Sequence, residues 1–129
     1  MGTVRSLVDT SVFMGLEQAR LSDADVPAYG TVSMITIGEL KLGLLATADP
    51  TTRARRLRTF QDAMALDPLP IDERVADSWA ELRVALRTAA RRLDANDSWI
   101  AATAIAHGLP LPTQDRDYTD VPGLEVVTL

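Results

Sequence analysis

Four acidic residues stand where a folded chain normally places apolar or neutral side chains: Asp9, Glu39, Asp97 and Asp115. Asp9 ends the apolar run Val4-Arg5-Ser6-Leu7-Val8. Glu39 interrupts the helical stripe Ile35, Leu42, Ala46, and Asp97 interrupts a second stripe, Leu93, Ile100, Ala104. Asp115 follows the short segment Leu109-Pro110-Leu111-Pro112-Thr113. Acids are rarely buried unless paired or bound to a cation. Several of them, from separate elements and all aimed inward, imply one carboxylate pocket. An oxygen-only donor set suits Mg2+ or Mn2+ rather than zinc. Two carboxylates about 5 Å apart repel by about 3 kcal/mol at an effective dielectric near 20. Four cannot all stay ionised without a counter-cation. Such ions activate water and stabilise phosphoryl oxygens during in-line displacement, so metal-assisted phosphodiester hydrolysis is the chemistry to expect.

Each acid also has an ordinary reading. Asp9 would serve as a turn or helix-capping residue, and Glu39 as a solvated helix acid. Asp97 would be the third-position acid of a helix capped by Asp94. Asp115 and Asp117 would be loop acids. A shared site accounts for the whole set together. His107 precedes a helix-ending glycine, where complementing the helix dipole is its default role. Trp79 and Trp99 lie at helical spacing among apolar residues, which points to core packing or a subunit contact. No nucleophile elbow G-x-S-x-G and no G-x-G-x-x-G occurs.

The elements that must carry these residues alternate between strand and helix. Residues 4–8, 29–33, 66–71, 109–113 and 124–129 read as strands, the third Pro-flanked and near an edge. Thr10 or Ser11 caps a helix running toward Arg20, and Leu21 to Pro27 is a polar loop. Ser33 caps a helix to about Ala46, Asp49-Pro50 opens one to about Ala65, and Asp72 caps one to about Ala90. Asp94 to His107 is the last helix, ended by Gly108. The alternation predicts a parallel sheet with helices on both faces. Ligands of such sheets sit beyond the strand C-termini where strand order reverses. Asp9 and Asp115 face one crevice if the first and fourth strands are neighbours there.

The 129 residues suit a single domain that buries roughly two-thirds of its unfolded surface. There is no Cys and one His, which excludes disulfides and disfavours a zinc site. No charged and apolar leader opens the sequence, and no apolar run approaches the roughly 18 residues of a membrane span, so the cytosol is the expected compartment. The net charge of -5 argues against gripping nucleic acid by bulk charge alone. Distribution matters more than the sum. Arg53, Arg55, Arg56 and Arg58 form one cluster, and Arg83, Arg87, Arg91 and Arg92 another.

Four segments, in order, carry a family resemblance. They are Val8-Asp9-Thr10-Ser11, Ile37-Gly38-Glu39-Leu40, Asn96-Asp97-Ser98-Trp99-Ile100-Ala101-Ala102-Thr103-Ala104 and Thr113-Gln114-Asp115-Arg116-Asp117-Tyr118. The set resembles the PIN-domain ribonucleases, and more narrowly the VapC-type toxins of bacterial toxin–antitoxin pairs. The resemblance covers essentially the whole chain, including the ending Pro122-Gly123-Leu124-Glu125-Val126-Val127. It implies one PIN domain over residues 1–129, with a three-layer α/β/α fold and a central five-stranded parallel sheet. By matching positions, Asp9, Glu39, Asp97 and Asp115 would hold one or two Mg2+ or Mn2+ ions. Asp9 and Asp97 would be direct ligands, and Asp117 an additional acid. Asp97 is preferred over the nearby Asp94 because it directly precedes Ser-Trp-Ile-Ala-Ala, and Asp115 stands where many relatives carry Asn. Thr10, Ser11 and Thr113 would orient carboxylates or a phosphate.

The implied activity is a metal-dependent endoribonuclease cleaving tRNA or a ribosomal RNA loop, leaving a 5′-phosphate and a 3′-hydroxyl. Arg87, Arg91 and Arg92 would hold the RNA backbone. The implied partners are a second copy in a homodimer and a VapB-type antitoxin whose tail covers the active site. Two rival readings stand beside this one. A catalytically silent PIN-like binding module would keep the sheet and use its surface for a partner. A phosphotransfer or phosphatase domain would need a second Asp soon after the first-strand acid, where Ser11 stands, or a suitably placed Lys, and Lys41 is the only one.

Overall fold

The computed structural model describes residues 5–129. Along the chain run β1 (Ser6–Leu7), α1 (Thr10–Glu17), a 3-10 helix (Asp23–Asp25), β2 (Gly30–Thr31), α2 (Met34–Leu45) and α3 (Pro50–Met64). Then come α4 (Glu73–Thr88), α5 (Ala95–His107), β3 (Leu111–Thr113), a second 3-10 helix (Arg116–Tyr118) and β4 (Val126–Thr128). β1 pairs in parallel with β2, and β3 with β4. Leu7 N–H donates to Pro110 O at 2.9 Å and Asp9 N–H to Pro112 O at 3.1 Å, joining the two pairs. Leu69 bridges in parallel to Ser33, donating to Val32 O and accepting from Met34 N–H. From one edge the order is therefore the Leu69 segment, β2, β1, β3, β4. Strand order reverses between β1 and β3, which opens a crevice at their C-terminal ends.

The strands are shorter than their sequence pattern predicts. The expected strand over 66–71 shrinks to the single bridge at Leu69. Leu69 turns its N–H toward β2, while Pro68 and Pro70 have no N–H to offer, so this edge cannot extend the ladder. Tyr29 and Asp67 adopt left-handed φ values of 63° and 52°, which breaks the extended backbone beside β2 and before Leu69. Val4, the expected start of the first strand, lies outside the described residues.

Helix ends follow local chemistry. α1 is capped by Asp9, not by Thr10 or Ser11: its carboxylate accepts from Ser11 N–H. α1 also stops at Glu17 rather than near Arg20, and Ala19 turns left-handed. The expected loop over 21–27 contains the first 3-10 helix. Ser33, Asp49 and Asp72 cap α2, α3 and α4 through their side chains. α5 ends at Gly108, whose φ of 63° a Cβ would oppose.

Two apolar clusters lie on the two faces of the sheet. Leu7 belongs to one and Val8 to the other, as successive strand residues must. α4 and α5 supply the first through Val75, Leu82, Leu86, Ile100, Ala101 and Ala104. α1 and α3 supply the second through Val12, Phe13 and Ala63, while α2 sends Ile35 to one face and Ile37 to the other. Each buried Leu contributes about 2 kcal/mol. The alanines of α5 let α4 approach closely. There Trp79 stacks on Trp99 with ring centroids 4.4 Å apart, and Trp79 Nε1–H donates to Ser98 Oγ. Among the described residues, no helix is long and apolar enough to cross a membrane.

Candidate metal centre

Asp9 leaves β1 at the mouth of the crevice and is only 3% exposed. Its Oδ2 accepts from Thr113 Oγ1–H at 2.8 Å and from Ser11 N–H at 3.3 Å. Because Thr113 donates to Asp9, its oxygen accepts from Ser11 Oγ–H at 3.1 Å and from Asp115 N–H at 2.9 Å. Ser11 Oγ in turn accepts from Gln114 N–H at 2.9 Å. These bonds lock the tip of β3 to the start of α1. Gly15 faces the Gln114 and Leu21 side chains, which a Cβ there would have to displace.

Tyr118 joins the strand acid to the helix acid. Its ring is fully buried, and its hydroxyl lies 3.0 Å from Oδ1 of Asp9 and 3.0 Å from Oδ1 of Asp97. Burial, and then the charges of Asp9 and Asp97, push the phenol's ionisation far up, so it stays a neutral donor. One phenolic proton cannot serve two carboxylates at once. The arrangement therefore favours a state in which one acid is protonated or a cation neutralises the pair. Asp97 shows the same tension. Desolvation raises its pKa from 3.8 to about 6, with the charges of Asp9, Asp115 and Asp94 adding to the rise and the Tyr118 hydrogen bond opposing it.

Asp97, Asp115 and Asp117 each offer a carboxylate oxygen, and these oxygens lie within 4.8 Å of one another. Asp115 caps the second 3-10 helix, its Oδ1 accepting from Asp117 N–H at 2.8 Å. Oxygens on opposite sides of one Mg2+ ion lie about 4 Å apart, given Mg–O distances of about 2.0–2.1 Å. A small closure of the group would thus suit a hard cation, and its donors are all carboxylate oxygens. The residues fit the ion that the sequence implies.

Glu39 stands to one side on α2. Thr10 Oγ1–H donates to its Oε1 at 2.8 Å, Thr36 hydroxyl meets Thr10 at 2.9 Å, and Asn96 Nδ2 reaches its Oε2 at 3.4 Å. A groove of about 300 Å3 opens beside it, lined by residues including Met14, Leu42, Arg56 and Asn96.

The structure therefore brings Asp97, Asp115 and Asp117 into one group, links Asp9 to it through Tyr118, and sets Glu39 beside it through Thr10 and Asn96. Asp94 caps α5 by position without a side-chain cap bond and contributes only charge. Of the three arginines expected to face RNA, Arg91 instead donates to the carbonyls of Asp117, at 2.8 Å, and Thr119. Arg87 and Arg92 are exposed on a shallow hollow of about 370 Å3 shared with Arg83 and Arg91. Sequence reasoning gave Tyr118 no role. The available signal was a tyrosine close behind two acids, since a buried phenol needs a polar partner. His107 lies away from these acids, its Nδ1 against Arg74 at 2.7 Å. Burial and the Arg74 charge lower its pKa, so little dipole complementation is left to it.

The PIN domain family matches residues 6–124. The chain belongs to the PIN-domain family. Within it, the similarity is to VapC proteins. Ribonuclease VapC4 of Mycobacterium tuberculosis is 48% identical over 130 residues, covering 100% of both chains. Ribonuclease VapC5 of the same organism is 39% identical over 124 residues, covering 95% of this PIN domain and 92% of its own length. A crystal structure of VapBC-5, a member of the VapBC family of toxin–antitoxin systems from M. tuberculosis, superposes with a TM-score of 0.86. There the identity is 36%, over 98% of this chain and 99% of that one. DNA-bound VapBC from Salmonella typhimurium shares the fold, with a TM-score of 0.82 at 19% identity over 97% and 98% of the two chains.

Proposed function

We propose that this PIN domain is the toxin of a toxin–antitoxin pair, an endoribonuclease that uses Mg2+, or Mn2+ in its place, to cleave structured RNA, with tRNA as first candidate and a ribosomal RNA loop as second. The ribonuclease activity follows from full-length similarity to proteins named Ribonuclease VapC, and the toxin role from similarity to VapBC-5 of a toxin–antitoxin family. The observation that carries the metal dependence is the grouping of Asp97, Asp115 and Asp117 above the Tyr118-bridged Asp9.

In this reading Asp97, Asp115 and Asp117 hold the ion, and Asp9 completes the charge beneath them. When bound, a divalent ion supplies a water of lowered pKa and positive charge against the phosphoryl oxygens. Thr113 and Ser11 fix the Asp9 carboxylate, and Thr10 fixes Glu39 to one side of the group as a further acid. Arg87 and Arg92, charged and exposed, hold the RNA backbone. The partner is a VapB-type antitoxin, as in the VapBC complexes of similar fold. The groove beside Glu39, with Met14 44% and Leu42 68% exposed, offers apolar anchorage for such a partner.

Purified, antitoxin-free protein incubated with total bacterial RNA tests this reading, with Mg2+ or Mn2+ compared against EDTA. Discrete cuts bearing 5′-phosphates are expected, lost in EDTA and reduced more than about 100-fold in Asp97→Asn, a larger loss than removing an outer-shell partner brings. Cleavage that persists in EDTA would overturn the metal dependence. No cleavage of intact tRNA or ribosomes would favour the binding module.

A further inference from the structure

Arg91 leaves the end of α4 from a strained turn. Ala90 has a left-handed φ of 54°, its N–H donates to Arg87 O, and Arg91 N–H reaches back to Leu86 O at 2.8 Å. This double closure usually employs glycine at the left-handed position, and a side chain there costs about 1 kcal/mol. The turn aims the Arg91 side chain across to the second 3-10 helix. Its guanidinium donates to Asp117 O at 2.8 Å and to Thr119 O. Those two carbonyls flank Tyr118, whose hydroxyl lies between Asp9 and Asp97. A planar guanidinium places two N–H groups on two carbonyls at fixed spacing, which the single ammonium of a lysine does not.

We propose that Arg91 is a positioning residue for the acidic turn: it ties the end of α4 to the backbone on both sides of Tyr118 and so sets Asp115 and Asp117 against Asp97. The ion-binding consequence rests on the divalent-ion reading above. The backbone clamp does not. A phosphate contact would predict something different, because Lys at this position would keep the charge that meets RNA.

The test is Arg91→Lys, with Arg87→Ala/Arg92→Ala as the comparison. Three quantities are read: the Mn2+ dissociation constant without RNA by electron paramagnetic resonance, amide hydrogen exchange over residues 115–120 in metal-free protein, and the salt dependence of RNA binding in EDTA. Arg91→Lys should weaken Mn2+ binding about 10-fold, speed exchange over 115–120, and leave the salt slope unchanged. The double variant should reduce that slope by about 1.5 and leave Mn2+ affinity and exchange unchanged. Wild-type exchange in Arg91→Lys would overturn the clamp. Faster exchange with wild-type Mn2+ affinity would overturn its role in setting the acids. If the wild type itself binds no Mn2+, the divalent-ion reading fails, and the exchange data still decide whether Arg91 holds the turn.

Discussion

Asp9 and Asp97 sit at the ends of a strand and a helix packed into the core, whereas the half-buried Asp115 caps a three-residue 3-10 helix that carries the exposed Asp117. The inner pair is held by hydrophobic packing. Leu7 beside Asp9, and Ile100 one turn beyond Asp97, are fully buried, and Tyr118 closes the gap between the two acids. The outer pair has one apolar anchor, the buried ring of Tyr118 next to Asp117, and is otherwise held by hydrogen bonds: the Asp115 cap, the Thr113 hydroxyl and the Arg91 fork. Elements with few buried apolar contacts open locally at low free energy. The difference assigns the two halves different tasks. The inner half fixes where charge accumulates, and the outer half can close by the small distance that separates a 4.8 Å group from the geometry of a bound ion.

The largest expected effect comes from cutting the link inside the buried half. Tyr118→Phe keeps the ring in its pocket and removes only the hydroxyl. Divalent-ion affinity should fall by about 10- to 100-fold, with about 1 to 2 kcal/mol of stability lost. Mn2+ titration and denaturant unfolding read the two quantities. Unchanged ion affinity would mean that packing alone positions Asp9 and Asp97, and the contrast between the halves would not depend on the hydroxyl.

A smaller effect is expected from pH on metal-free protein. Asp97 has a pKa of about 6 here against 3.8 ordinarily, so the folded state holds its proton more tightly than the unfolded state does. Its contribution to stability is fully present below 3.8 and is lost as pH rises through about 6. Asp9, Asp115 and Asp94 face it and drive the loss, after desolvation. The stability of the wild type minus that of Asp97→Asn should therefore fall between about pH 4 and about pH 7, measured by urea unfolding in EDTA. A flat difference would mean that the Asp97 carboxylate is better solvated than its surroundings indicate, and the inner half would lose its distinction.

The residues themselves made much of this legible. Asp9 and Asp97 break apolar patterns, and a broken pattern is a strong signal where the surrounding elements are regular. Strand–helix alternation pointed to the parallel sheet, while the adjacency of β1 and β3 stood only as a condition, which the structure meets. Other features were hidden because single local choices decide them. The edge strand is reduced to Leu69 where Asp67 turns left-handed just before it, and α1 takes its cap from the same Asp9 that faces the crevice. Capping and site membership are not alternatives for Asp9, because one carboxylate has lone pairs enough for both. Tyr118 and Arg91 were hidden for another reason. Each acts across the fold, on partners in segments distant in sequence, and neither hydrophobic periodicity nor charge clustering reports which side chain meets which backbone.

The most direct test of the divalent-ion site is an anomalous difference map from crystals soaked in Mn2+. The account predicts a peak about 2.0–2.3 Å from a carboxylate oxygen of Asp97, with oxygens of Asp115 and Asp117 completing its protein ligands. A peak bound only elsewhere on the molecule, or none at saturating Mn2+, would contradict it.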